Sequence, residues 1–90
     1  MKIQMSEIQK KATLESAKAQ IVNELYRLLI TNGIDPDDFD PSKPLSNADF
    51  AAAEESIDEK TGGQKAFEIG RIKELCASYV IAQGKIDSIS

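Results

Sequence analysis

A helix that runs into Asn32-Gly33-Ile34 has to end there. Glycine takes the left-handed backbone conformation that closes a helix without steric cost, and Ile34 is placed to fold back onto Leu29 in a Schellman arrangement. Behind this stop, Asp35-Pro36-Asp37-Asp38-Phe39 reads as a single helical turn, with Asp35 as N-cap, Pro36 at the first helical position and Phe39 pointing inward. Pro41 and Pro44 then hold the chain extended as far as Ser46. Ser46 is the expected cap of a second helix, with Asp49 as its capping-box partner and Leu45 and Phe50 at the spacing of a hydrophobic staple. A chain punctuated in this way folds as helical segments laid against one another.

The apolar spacing supplies the segments. Ser6 and Gln9 open the first, after which Leu14, Ala17, Ile21, Val22, Leu25, Leu28 and Leu29 recur in steps of three and four, predicting a helix over about 7–32. The second, about 47–60, turns Phe50, Ala53 and Ile57 inward and Glu54, Glu55, Asp58 and Glu59 outward, until Thr61-Gly62-Gly63 breaks it. The third, about 64–83, carries Ile69, Ile72, Leu75, Cys76, Tyr79, Val80 and Ala82 and is stopped by Gly84, leaving residues 84–90 as a tail. Both long helices become more apolar towards their C-terminal ends. Those ends meet if the first and third helices run parallel, so the expected fold is all-α: a small up-down-up three-helix bundle forming one domain over 1–90, with an acidic proline-rich connector at 33–46. The alternative is a long helical hairpin, in which the second and third segments merge and Leu75–Ala82 lies against the polar Ser6–Lys18 stretch.

Ninety residues suffice for one modest core, which five aromatics and no tryptophan make largely aliphatic. One cysteine and no histidine exclude an internal disulfide and leave no zinc ligand set, so no metal and no cofactor are expected. Asp35, Asp37, Asp38 and Asp40 have the look of a calcium loop. The sixth and twelfth positions of such a loop would be Asp40 and Ser46 where glycine and glutamate are needed, so capping and solvation account for these acids better. Thr61-Gly62-Gly63-Gln64-Lys65 lacks the ending of a phosphate loop, and Cys76 sits on an apolar stripe with no base to activate it. No enzyme is expected. Met1–Met5 lacks the apolar run of a signal peptide and no stretch approaches the ~20 apolar residues of a membrane span, which points to a cytoplasmic protein with no membrane partner.

The net charge of −4 conceals a segregation: residues 34–59 hold nine acids and one lysine, whereas the segments on either side each hold five basic residues against three acids. Asp35, Asp37, Asp38, Asp40, Asp49, Glu54, Glu55, Asp58 and Glu59 are therefore the candidate partner-binding residues, and the expected function is a non-enzymatic protein-binding module. Such a module would be a small inhibitor or adaptor that docks on a basic surface of a larger protein. The alternative is a self-assembling subunit, in the simplest case a homodimer, joined through Leu25, Tyr26, Leu29, Ile30, Tyr79, Val80 and Ile81. A nucleic-acid accessory role through Lys10, Lys11, Lys18 and Arg27 ranks below both, because the neighbouring acids repel phosphates.

Overall fold

The computed structural model describes residues 4–57 and 63–89. The first helix, α1, spans Glu7–Thr31. Its start is a full capping box, in which the Gln9 backbone N–H donates to Ser6 Oγ at 3.2 Å and the Ser6 N–H donates to Gln9 Oε1 at 3.1 Å. Its end is the expected Schellman motif. Gly33 has φ +75°, its N–H donates to Ile30 O at 3.0 Å, and the Ile34 N–H donates to Leu29 O at 2.9 Å, so that the buried Ile34 and Leu29 side chains close the turn together. The turn Pro36–Asp38 follows as a 3₁₀ helix, with Asp35 Oδ1 accepting the Asp37 N–H at 3.0 Å and Phe39 buried behind it.

The second helix departs from expectation at both ends. Pro44–Ser46 forms a 3₁₀ turn of its own, and within it Ser46 Oγ donates to Lys43 O at 2.6 Å, which removes Ser46 from capping duty. Asn47 takes its place, accepting the Phe50 N–H on Oδ1 at 2.9 Å, and α2 runs only from Ala48 to Glu55. The shift also breaks the staple, since Leu45 is 64% exposed while Phe50 is fully buried. Residues 58–62, including the expected break at Gly62, lie outside the described residues.

The third helix, α3, spans Gly63–Ile89 and passes straight through Gly84, so the expected tail is helical as far as Ile89. Glycine costs a helix only ~1 kcal/mol relative to alanine, and burying Ile86 beyond it offsets that cost. Gly70 and Gly84 have nothing within 4 Å of where a Cβ would stand and lack the left-handed backbone of Gly33. Gly70→Ala and Gly84→Ala are therefore each expected to stabilise the fold by about 0.5–1 kcal/mol, read as a rise in melting temperature. A fall in either variant would place an unseen neighbour against that face of α3.

The all-α class with three helices among the described residues is what the structure shows, and the helix directions are those of the hairpin alternative. Asn32 Nδ2 donates to Glu68 Oε2 at 3.0 Å, Arg71 pairs with Glu24 at 2.9 Å, and Lys18 bonds Gln83, so α1 and α3 run antiparallel rather than parallel as an up-down-up bundle requires. The parallel expectation assumed that every apolar residue late in α3 must be buried against an apolar stretch. Instead Lys18 places its Nζ 5.3 Å from the centre of the Tyr79 ring, Leu75, Cys76 and Ala82 turn inward, and Val80 and Ile81 remain exposed. The connector and α2 lie over the hairpin, with Ile34, Phe39 and Phe50 joining Leu25, Leu29, Ile69, Ile72, Leu75 and Cys76 in one core. The molecule is elongated, 47 × 30 × 18 Å.

Candidate docking surface

The candidate carboxylates fall into two groups. Asp35, Asp40 and Glu54 are engaged within the fold. Asp35 caps its turn, and Asp40 Oδ1 accepts the Ser42 hydroxyl at 2.7 Å and the Ser42 N–H at 2.9 Å. These bonds, the hydroxyl's above all, hold the Asp40 carboxyl below its ordinary 3.8. The sign follows: Asp40 stabilises the connector above pH 3.8, and that contribution is lost as pH falls through the lowered folded value. Glu54 Oε1 pairs with Lys73 Nζ at 2.9 Å, while its Oε2 is buried and has no hydrogen-bond partner among the described residues.

Asp37, Asp38, Asp49 and Glu55 form the second group: all four are exposed, and none has a cation within ion-pair distance among the described residues. Asp37, Asp38 and Asp49 stand in first turns, where the helix dipole favours a negative charge. Glu55 is the last residue of α2, where the dipole disfavours one. Asp58 and Glu59 lie outside the described residues.

The apolar candidates separate. Leu25 and Leu29 are 3% and 2% exposed, so they belong to the core of the single chain and are not free to form an interface. Tyr79 is half-buried beneath Lys18, whereas Tyr26, Ile30, Val80 and Ile81 are exposed. The antiparallel pairing sets Ile30 near the Asn32–Glu68 end and Val80 and Ile81 near the Lys18–Gln83 end, so the seven residues do not make one apolar end.

Between the connector and α3 runs a groove of about 310 Å³ that sequence reasoning missed. Pro41, Pro44 and Leu45 form one wall, Ala77 and Val80 the other, and Phe50 and Cys76 line its base. Its one legible signal, the apolar Leu45, points to burial under a Ser46 cap and to exposure only once the cap moves to Asn47. Burial pushes the Cys76 thiol up to about 11, so at neutral pH it is a protonated core group and not a thiolate nucleophile. Among the described residues no three cysteine, aspartate or glutamate side chains gather as a metal set, and no helix is long and apolar enough to cross a membrane. No protein-family model, curated protein or solved structure matches this chain, so its surface chemistry is what bears on function.

Proposed function

We propose that this chain is a non-enzymatic binding module, an inhibitor or adaptor in type, that docks on a basic surface of a larger protein through the acidic face of its connector and α2. The observation that carries this is the set of exposed carboxylates that have no cation within ion-pair distance among the described residues: Asp37, Asp38, Asp49 and Glu55. First-turn positions and the helix dipole account for the first three. They do not account for Glu55, whose charge opposes the dipole at the end of α2 and therefore works against the helix that carries it. Negative charge held where folding does not need it favours a surface that steers an oppositely charged partner.

The test removes charge without removing shape. The triple variant Asp37→Asn, Asp38→Asn, Glu55→Gln spares Asp35, Asp40 and Glu54, which the fold uses, and should keep the helical circular-dichroism signal. Partners captured from native lysate at low salt should bind it about 10- to 100-fold more weakly, at ~0.5–1 kcal/mol per exposed carboxylate. The loss should lie in the association rate and shrink as salt rises. Unchanged affinity in a folded triple variant returns these residues to solubility. A second reading, self-association, is supported by Val22, Tyr26 and Ile30, which are exposed at four-residue spacing along α1; sedimentation equilibrium decides it.

A further inference from the structure

We infer, resting on the docking reading above, that the groove between the connector and α3 is the anchor point of that surface and takes an apolar side chain carried on a basic, amphipathic segment of the partner. Leu45 is 64% exposed on one wall and Val80 46% exposed on the other, so two large apolar side chains flank one concave strip. Val80 lies nine residues beyond Arg71, about half a turn away at ~100° per residue, so the groove opens on the side of the hairpin away from the Glu24–Arg71 pair. Its volume, about 310 Å³, stands at the lower limit of the ~300–1,000 Å³ of small-molecule clefts and suits the tips of one or two side chains better than a cofactor.

Charge selects the occupant. Among the described residues the cation lining the groove is Lys73, already paired with Glu54 Oε1, so the groove offers no free positive charge of its own. A lysine or arginine arriving beside an apolar anchor would meet the field of the exposed Asp49 and Glu55 on the helix that carries Glu54. A second copy of this chain fits poorly, since a two-fold contact here would set residues 34–59, nine acids and one lysine, against themselves.

Two synthetic peptides of equal length and charge are suitable probes. Both are lysine-rich; one repeats leucine at three- and four-residue spacing on one helical face, and the other has serine at those positions. Titrated into the ¹⁵N-labelled chain, the leucine peptide should bind about tenfold or more tightly than the serine peptide, shifting the amides of Leu45, Glu54, Ala77 and Val80. The double variant Leu45→Ser, Val80→Ser changes only exposed side chains, so it should fold by circular dichroism, lose the preference for leucine and bind the serine peptide as before. Equal binding of the two peptides, with shifts confined to Asp37, Asp38, Asp49 and Glu55, overturns the groove assignment and leaves the docking reading standing. Binding of neither overturns both. Shifts at the groove that appear on raising protein concentration alone would assign it to a second copy and overturn the basic-segment occupant.

Discussion

Phe50→Ala is expected to destabilise the fold by about 3–5 kcal/mol, the usual range for deleting a buried aromatic side chain. Phe50 is 0% exposed and meets Phe39 edge to face, with ring centroids 5.6 Å apart and planes at 69°. Against the ~5–13 kcal/mol that a 90-residue chain commands, such a loss takes a large share of total stability, and the melting temperature should fall by more than about 12 °C. The damage should also be local. An eight-residue helix has no stability of its own in water, and α2 is seated by Phe50, Ala53 and Ile57, so its amides should exchange hydrogen at nearly unprotected rates in the variant even where α1 and α3 survive. Phe67→Ala is the control: Phe67 is 69% exposed, and its removal should stay within ~0.5 kcal/mol of wild type. Equal losses at the two positions would mean that α2 is not seated on the hairpin as described.

The contrast between these two phenylalanines shows what could and could not be taken from the chain alone. The capping box at Ser6 and Gln9, the Schellman turn at Gly33 and Ile34, and the Asp35-Pro36 turn are all legible, because each is decided by backbone chemistry within about six residues. The cap of α2 is not legible in that way. Ser46 and Asn47 are adjacent and both competent, and the choice depends on the turn that Pro44 starts and on the burial of Phe50. At Gly84 a local rule gave way to packing, because the propensity cost of one glycine is comparable to the gain from burying Ile86. The direction of α3 departs from expectation for a related reason: surfaces tolerate single apolar residues, so a wide apolar stretch such as Leu75–Ala82 need not face another one. Among the acids, the sequence shows the cluster but not its division. That Glu54 is paired, while Glu55 has no cation partner among the described residues, follows from Lys73, 19 residues away along the chain.

Asn47→Ala is expected to cost about 2–3 kcal/mol, more than an ordinary cap, because Asn47 holds three elements at once. Its Oδ1 accepts the Phe50 N–H at 2.9 Å, its Nδ2 donates to Asp38 O at 3.1 Å, and its backbone N–H donates to Pro44 O at 3.2 Å. Alanine leaves the Phe50 N–H and the Asp38 carbonyl without their partners in a site where the residue is only 9% exposed. Asn47→Asp separates the two bonds: a carboxylate still caps α2 but cannot donate to the Asp38 carbonyl, so the loss at neutral pH should fall between wild type and alanine. On acidification the introduced carboxyl gains a proton that it can donate to that carbonyl, and the gap to wild type at the same pH should narrow. The same tie sets where the Asp38 carboxylate stands relative to α2. Asn47→Ala should therefore weaken docking on a basic partner even though it removes no charge, and most of that loss should appear in the dissociation rate, in contrast to the association-rate loss of the amide variants. Equal destabilisation by alanine and aspartate would show that setting a carboxylate against the Asp38 carbonyl costs as much as the Phe50 bond contributes. A folded Asn47→Ala variant with unaltered partner binding would show that the connector acids act without being held in register with α2.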